Sequence, residues 1–576
     1  MTVQAMETDI LVIGGGLAGT FAAIKAREAG VKKVTLISKG KLGKDSVSTF
    51  AAGVFQTFFP EDDREALMNQ FVCNDDFGAG LLDEAWVKAV MDDTYERLLD
   101  MDRWGVRWEK TSDGNFERIK ARHELMKCMF PGPQMMEAMA KKVIDSGVEV
   151  IGHTMVTDLL TEEGREGGRV TGAVGFDVRT GLFRVFKAKA TILVSGGCGF
   201  KARFACHRFQ TGDAYTAAYR AGAELGGFEI GEVLHTTCAH FDIQGLNMFV
   251  GLGGKFVNAE GEEFMRDYDP ELQNYASMPR LSEASAMEVR AGRGPIYLNM
   301  THFTSEQVRK LKVVCPVPTK IMERAGVIVG DRIVKKMEWA PAFFGTLSFG
   351  GGIKANTNGE TVLRGLYTGG DSMAWNKHYG VLPGAAVSGA RAGKFSAEYI
   401  KEAKEPKIDE EQVKELKQCA FAPIEREDGI EPDHIIIEVH ETILPYEVTV
   451  ISRGDRLEKA LREVERIRDK EVPLLYASDP HYLRLANETK NIVLVAEMYL
   501  RSRLLREDSR EGSAREDFPY TDNSNWLKHT VLKQENGKMK VWAEDIPIDS
   551  YKVRPKREKY LYPVFEVARR RGIEWG

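Results

Sequence analysis

The N-terminal stretch alternates between short apolar runs and a glycine-rich break. Residues 9–13 form an apolar, largely β-branched run, residues 20–29 are helical in character, and residues 33–37 form a second apolar run. Continuous apolar runs of this length are typical of buried parallel strands, and the stretch between them predicts a helix. The pattern therefore predicts a β–α–β unit of about 30 residues.

Glycines stand where the first strand gives way to the helix. Gly14, Gly16 and Gly19 have G-x-G-x-x-G spacing, with Leu17 and Ala18 between the last two. Backbone N–H groups at a helix N-terminus bind pyrophosphate, so this turn predicts a dinucleotide site; the alternative is that the glycines only allow a close strand–helix crossing.

The second strand departs from the usual dinucleotide pattern. It ends in Ser38 and Lys39, where an acidic residue usually binds the adenosine ribose. A serine hydroxyl still bonds a ribose hydroxyl and a lysine faces phosphate, so a different set of contacts is expected.

The strand-and-glycine pattern returns twice further along the chain. Residues 190–194 lead into Gly196 and Gly197, and residues 365–371 end on Asp371. Residues 384–390 then begin a helix of small residues. One cofactor that lies across all these segments would be long.

Two regions lack this pattern. Residues 228–345 predict an inserted domain. Charged helical sequence follows Lys401, with apolar residues at helical spacing over residues 482–506.

Composition excludes several classes of protein. The 79 basic and 85 acidic residues give a net charge of -6, so a nucleic-acid partner is not expected. The 7 cysteines never form a C-x-x-C pair, which argues against a zinc or iron–sulfur site in this chain. No apolar run reaches about 18 residues and no leader pattern is evident. A cytoplasmic chain is expected, with docking onto a membrane complex left open.

The C-terminal segment is locally basic. Residues 551–572 carry eight lysines and arginines against two glutamates. Two interpretations stay open: a solvated arm, or a docking strip for an acidic electron-transfer partner.

Taken in order, these motifs resemble the succinate dehydrogenase and fumarate reductase flavoprotein family, which includes L-aspartate oxidase and the adenylylsulfate reductase alpha subunit. The segments that carry the resemblance are residues 14–19, 37–39, 48–53, 195–197, 211–213, 257–262, 365–371, 517–519 and 526–530.

The resemblance implies an α/β fold with FAD in a Rossmann-like domain. We expect the first part of that domain at residues 1–227, an inserted α+β capping domain at 228–345, the second part at 346–405, a C-terminal helical domain at 406–535 and a basic tail at 536–576.

The resemblance also assigns cofactor contacts. The glycine turn would hold the pyrophosphate, Ser38 and Lys39 the adenosine side, and Asp371 a ribityl hydroxyl, while Ser48, Thr49 and Gly53 would lie along the flavin. Ser48 stands where dicarboxylate enzymes carry a histidine bonded to the flavin, so non-covalent FAD is expected. The rest of the predicted cofactor set is Leu17, Ala18, Val156, Gly196, Gly197, Asp213, Gly370 and Val387.

Three residues of the dicarboxylate site are replaced. Leu347 stands where the family has a histidine, and Glu283 and Val381 stand where it has arginines. A buried dianion requires fixed positive charge, so these losses argue against succinate, fumarate or aspartate chemistry. The resemblance is therefore placed nearer to the adenylylsulfate reductase alpha branch.

The remaining catalytic candidates are His235, Arg280, Lys377 and His378. His235 lies near the family's substrate-contacting segment, Arg280 is the basic residue closest to the lost arginine, and Lys377 and His378 follow Asp371 in a loop beside the flavin. Each has an alternative in ordinary packing or ion pairing.

The sequence predicts an FAD-dependent oxidoreductase subunit with a small anionic substrate. Because the chain has no cluster motif and no second dinucleotide motif, we expect a hetero-oligomer with an iron–sulfur, ferredoxin-like partner subunit. The alternatives are an enzyme like adenylylsulfate reductase alpha or fumarate reductase, and a non-catalytic flavin relay subunit of a larger redox complex.

Overall fold

The structure, a computed structural model, describes residues 5–50, 53–73, 80–120, 126–130, 132–202, 207–230, 233–234, 236–243, 245–340, 347–348, 351–375 and 381–575. Helices and strands alternate in the first part of the chain. The strands are β1 (Ala5–Ile13), β2 (Val34–Ile37), β3 (Val54–Gln56), β4 (Arg118–Lys120), β5 (Met126–Met129), β6 (Glu149–Ile151), β7 (Thr154–Thr161), β8 (Val170–Asp177), β9 (Phe183–Leu193) and β10 (Leu225–Gly226). The helices are α1 (Leu17–Glu28), α2 (Arg64–Cys73), α3 (Glu84–Arg103), α4 (Gln134–Asp145) and α5 (Asp213–Arg220).

Short strands and helices follow in the middle of the chain. The strands are β11 (Val233–Leu234), β12 (Thr237–Cys238), β13 (Lys255–Val257), β14 (Tyr297–Asn299), β15 (Ile328–Val329), β16 (Arg332–Ile333), β17 (Met337–Ala340), β18 (Leu347–Ser348) and β19 (Gly352–Ile353). The helices are α6 (Leu246–Gly251), α7 (Met265–Tyr268), α8 (Met278–Glu288), α9 (Ser305–Val314) and α10 (Pro316–Arg324).

Helices dominate the last part of the chain. They are α11 (Val381–Tyr399), α12 (Glu410–Phe421), α13 (Pro432–Ile443), α14 (Tyr446–Thr449), α15 (Gly454–Arg466), α16 (Pro480–Leu505), α17 (Asn523–Trp526) and α18 (Pro563–Arg570). The strands are β20 (Leu366–Thr368), β21 (Ile451–Ser452), β22 (Ala514–Arg515), β23 (Tyr520–Asp522), β24 (Lys528–Glu535), β25 (Lys538–Asp545) and β26 (Lys559–Leu561). The helical spacing over residues 482–506 corresponds to α16.

The central sheet has the order β6-β2-β1-β9-β8-β7, and β20 pairs with the end of β9. The strands β6, β2, β1, β9 and β20 are parallel, which matches the predicted β–α–β unit. Both faces are covered: Leu11 packs in one hydrophobic cluster and Val12 in another on the opposite face. The α/β class is confirmed.

Helices α1 and α11 lie on one face and touch through glycine. A β carbon on Gly389 would collide with the carbonyl oxygen of Ala18, and one on Gly393 would collide with that of Ala22. The small residues of α11 therefore bring it against the helix that follows the glycine turn.

The middle of the chain forms a separate sheet of order β12-β17-β14-β13. It falls within the predicted inserted domain. The five predicted segments and their boundaries stay a prediction.

The C-terminal segment is not a solvated arm. Strand β25 pairs with β24 along eight residues, and β26 pairs with β23. Val564 and Phe565 of α18 are fully buried. Arg571 forms ion pairs with Glu262, Asp267 and Glu288. Sequence charge alone missed this packing because apolar residues that alternate with the basic ones anchor the segment.

Candidate active site

Four parallel strands end side by side, and each ends in a predicted cofactor segment. The amide of Gly14, after β1, donates to the Ile37 carbonyl at the end of β2 (2.8 Å), and the Val194 amide, after β9, donates to Ile13 (2.9 Å). The Thr368 hydroxyl at the end of β20 donates to the Leu193 carbonyl (2.9 Å). Ligands of open α/β sheets bind at this edge.

The three glycines of the turn differ in the space beside their α carbons. A β carbon on Gly14 (φ +128°) would collide with Val194, and one on Gly19 would collide with the Gly14 carbonyl, so these two permit close packing of strand and helix. At Gly16 a β carbon would meet only the Ser48 hydroxyl, at 3.5 Å. Gly14 and Gly19 therefore fit the packing interpretation, and the dinucleotide interpretation stays a prediction that the space at Gly16 permits.

The N-terminus of α1 fits a phosphate. Its first turn has no acidic residue and no side-chain cap from Gly16, while the Leu17 amide donates to Ser48 Oγ at 3.1 Å. Ser48 and Thr49 lie in one short turn, and Thr49 Oγ1 is 3.0 Å from Ser46 Oγ. Helix N–H groups without an acidic neighbour favour an anion.

Unsatisfied buried oxygens mark the other side of this edge. Asp371 Oδ2 accepts a hydrogen bond from Gln210 Nε2 (3.0 Å), while its buried Oδ1 has no partner among the described residues. The buried Ser195 hydroxyl is in the same condition within that part of the chain. Because buried polar atoms are normally bonded, these two oxygens fit a polyhydroxyl ligand such as the ribityl chain of FAD.

Other residues of the predicted cofactor set form hydrogen bonds through their backbone groups. The Gly370 amide donates to Ser388 Oγ (2.8 Å), and the Gly196 amide donates to Ser372 Oγ (3.0 Å). The carbonyl of Gly197 accepts from Gly212 (3.1 Å), and that of Gly53 (φ +74°) from Phe130 (2.9 Å). Three buried apolar members lie on elements around the site: Ala18 on α1, Val156 on β7 and Val387 on α11.

Lys39 joins a buried ionic cluster. Its ammonium lies 2.8 Å from Asp213 Oδ2, 2.7 Å from Glu488 Oε1 and 2.8 Å from Thr211 Oγ1. Burial opposes the charged form, but the two carboxylates outweigh it and raise the pKa of Lys39. The lysine and Asp213 are thus bonded to protein groups, while the Ser38 side chain packs against Gly15.

Arg280 is the one catalytic candidate within the described residues. It lies in the first turn of α8, capped by Ser277 Oγ, and is 4% exposed. Its guanidinium carbon is 5.5 Å from the centroid of the Tyr562 ring. His235, Lys377 and His378 lie outside the described residues.

Glu283, one turn beyond Arg280, is fully buried. Its carboxylate accepts from Tyr562 Oη (2.9 Å) and from the Gly512 amide (3.3 Å). Burial raises the pKa of Glu283 to about 7, against the lowering effects of Arg280 and of these hydrogen bonds. A carboxyl group that titrates near neutral pH therefore lies beside a buried arginine.

Sequence reasoning missed three polar members of these clusters: Gln210, Glu488 and Tyr562. Gln210 directly precedes the 211–213 motif, which was an available signal. Glu488 and Tyr562 come from α16 and from the residue before α18, far away in the chain. Only the fold brings them to the site.

Two further observations concern metals and membranes. Within the described residues no group of three or more His, Cys, Asp or Glu side chains is placed to hold a metal ion. No helix in that part of the chain is long and apolar enough to cross a membrane.

The parallel sheet edge, the helix end without acidic neighbours and the unsatisfied oxygens fit an FAD-dependent oxidoreductase. Residues 9–387 match the FAD binding domain family, and residues 440–560 match the fumarate reductase flavoprotein C-terminal family. The chain belongs to the fumarate reductase and succinate dehydrogenase flavoprotein family, and its cofactor is FAD. The predicted resemblance and cofactor are confirmed.

Relatives match over nearly the whole chain. An uncharacterized FAD-dependent oxidoreductase of Methanocaldococcus jannaschii is 28% identical over 94% of this chain and 98% of its own length. One subunit of the fumarate reductase (CoM/CoB) of Methanothermobacter marburgensis is 27% identical over 93% of this chain and 98% of its own length.

Solved structures share the fold. A variant of E. coli quinol fumarate reductase superposes with a TM-score of 0.84 at 21% identity, covering 96% of this chain and 99% of that one. Adenylylsulfate reductase of Archaeoglobus fulgidus gives 0.77 at 23% identity, covering 94% and 96%. Such identities establish the fold alone, so placement nearer to the adenylylsulfate reductase branch stays a prediction.

Proposed function

We propose that this chain is the flavoprotein subunit of an oxidoreductase that exchanges two electrons with a small anionic substrate and passes them to or from an iron–sulfur partner subunit. The single observation that carries the substrate class is Arg280, a cation buried in the middle segment of the chain. When bound, FAD supplies the two-electron redox chemistry.

Arg280 would bind the anion. A buried guanidinium binds carboxylates and oxyanions through charge-assisted hydrogen bonds, and Arg280 is only 4% exposed. Burial raises the pKa of Glu283, the carboxyl group nearest along its helix, to about 7, so less negative charge lies beside Arg280 at neutral pH. Helix α8 packs against β11, which leads into His235, the second residue proposed to contact the substrate.

Glu283 would hold a proton close to that anion. Its carboxyl oxygen accepts a hydrogen bond from Tyr562 Oη at 2.9 Å, which holds the carboxyl group in place. The same residue replaces an arginine of the dicarboxylate enzymes, and Lys377 and His378 are proposed to supply further positive charge.

The residues proposed to hold FAD lie along the sheet edge. The turn at Gly14, Gly16 and Gly19 would bind the pyrophosphate, Asp371 and Ser195 would bond the ribityl chain, and Ser48 would lie beside the flavin. Because Ser48 Oγ is a hydroxyl bonded to the Leu17 amide, and not an imidazole, FAD would be held without a covalent bond.

Two alternatives have support of their own. The name of the M. marburgensis relative favours fumarate as the first anion to test. An apolar, exposed Val381 in place of an arginine favours a flavin relay subunit without a substrate.

An anaerobic titration separates these functions. The FAD-loaded chain, reduced by dithionite, is mixed in turn with fumarate, adenylylsulfate and plain buffer while flavin absorbance is followed. Reoxidation by one anion, lost in Arg280→Met and retained in the exposed control Lys401→Met, supports the proposal. If no anion reoxidises the flavin but an oxidised iron–sulfur protein does, the relay function is correct. Acid precipitation of the same sample should leave all FAD in the supernatant.

A further inference from the structure

A short exposed segment, residues 552–559, concentrates positive charge on the surface. This segment, the basic loop, contains Glu558 and five basic residues, all of them exposed: Lys552, Arg554, Lys556, Arg557 and Lys559. The chain as a whole has a net charge of -6. The loop thus carries an excess of basic residues in a chain that is acidic as a whole.

The basic side chains of the loop differ in their ion pairing. Arg554 pairs with Asp549 (3.3 Å) and Lys559 with Asp522 (2.8 Å). Lys552 and Lys556 form no ion pair with any residue that the structure describes. Their ammonium groups therefore remain available to an external carboxylate.

The loop is held firmly at both ends. Tyr551 packs into a hydrophobic cluster with Leu81 and Leu82, and the Lys552 amide donates to Glu84 (2.7 Å). Strand β26 pairs with β23 at the other end. A charged surface that is fixed in place loses little entropy when a partner binds.

Three successive contacts connect the loop to the cofactor edge. Pro555 Cγ lies 3.5 Å from the position that a β carbon would take on Gly80, and the carbonyl of Leu81 is 2.7 Å from His529 Nε2. The His529 ring stacks on Trp375 with centroids 3.9 Å apart. Trp375 is four residues beyond Asp371.

We propose that the basic loop is the docking surface for the acidic face of a one-electron carrier protein. This inference rests on the proposed function, which requires such a carrier. Because the chain as a whole is acidic, a locally basic loop would attract an acidic partner and orient it toward the end of the Trp375–His529 stack. A bilayer or a nucleic acid presents a large anionic surface, which the rest of this acidic chain would oppose.

The test uses the full FAD-loaded chain and the reduced form of an acidic bacterial ferredoxin as the probe. Two ferredoxin molecules each give one electron to the oxidised flavin, which takes up two protons from the buffer. For Lys552→Glu/Lys556→Glu we expect the second-order rate constant of flavin reduction to fall about tenfold at low ionic strength, with the difference vanishing near 0.5 M salt. The matched control is Lys401→Glu/Lys404→Glu, two exposed lysines that follow α11.

Two outcomes would overturn the docking proposal: an unchanged ferredoxin rate, or an equal loss in the control pair. If phosphatidylserine vesicles sediment the unaltered chain but not the variant while the ferredoxin rate is unchanged, the loop binds a bilayer instead. Reoxidation of the reduced flavin by neutral duroquinone is measured on every variant. If duroquinone does not reoxidise the flavin of the unaltered chain, the proposed redox function is wrong. If it reoxidises the flavin of the unaltered chain and of every variant at the same rate, a change in the ferredoxin rate reports on docking alone.

Discussion

Two of the completely buried glutamates, Glu488 and Glu283, behave in opposite ways. Glu488 of α16 bonds three cations: Lys39 at 2.7 Å, Lys201 at 2.8 Å and Arg484 at 2.9 Å. Glu283 of α8 bonds a tyrosine hydroxyl and a backbone amide, with Arg280 nearby. Neither side chain is exposed to solvent.

The difference lies in the neighbours. Burial alone raises the pKa of a carboxyl group, and three cations outweigh that effect at Glu488, so its pKa lies well below the ordinary range. At Glu283 burial wins, and the pKa rises to about 7. The first group fixes α16 to the loop after β2, while the second has a pKa that is raised into the neutral range.

Removing the charge of Glu488 should have the largest effect. Glu488→Gln removes the fully buried charge that Lys39, Lys201 and Arg484 share, so we expect the free energy of unfolding to fall by about 3 to 5 kcal/mol in chemical denaturation. The control is Glu497→Gln on the same helix, whose partners Arg468 and Arg501 are partly exposed. A cost for Glu488→Gln no larger than that of Glu497→Gln would remove the contrast drawn above.

Glu283→Gln should change how the free energy of unfolding depends on pH. The folded pKa of about 7 lies above the unfolded value of 4.5, so the stability contributed by the protonated carboxyl group is present below pH 4.5 and is lost as pH rises through 7. Between those limits the unaltered chain should lose about 3 kcal/mol relative to Glu283→Gln, measured by denaturation at a series of pH values. A pH-independent difference would contradict the raised pKa.

Tyr562→Phe should have the smallest effect. Loss of the hydroxyl that donates to Glu283 costs about 1 to 2 kcal/mol at neutral pH. It should also shift the pH midpoint of the Glu283 effect upward, since the hydrogen bond favours the carboxylate. Tyr268→Phe is the matched control, because Tyr268 bonds Glu288, whose pKa is held low by Arg293 and other neighbours against the effect of burial. An equal shift in that control would assign the effect to general loosening of the fold.

Local pattern predicted the sheet edge well. Apolar runs that end in glycine at residues 13–14, 193–196 and 368–370 correspond to the carboxyl ends of β1, β9 and β20. The reason is that a buried parallel strand requires a continuous apolar run and the turn after it requires glycine, and both are local demands. The charge pattern of the C-terminal segment wrongly allowed a solvated arm for the opposite reason. Burial of Phe565 and ion pairing of Arg571 depend on residues that are distant in the chain.

The sequence by itself determined the β–α–β start, the α/β class, the family and the FAD cofactor. Each of these is recognised from short segments and from their order along the chain. Only the tertiary structure decided which glycine of the turn has open space beside it. It also decided that Lys39 pairs with Glu488 and that Glu283 bonds Tyr562. The position of the basic loop next to Leu81 likewise depends on folding. The pKa of a buried group is set by the charges within a few ångströms of it. Folding brings those charges together from segments hundreds of residues apart.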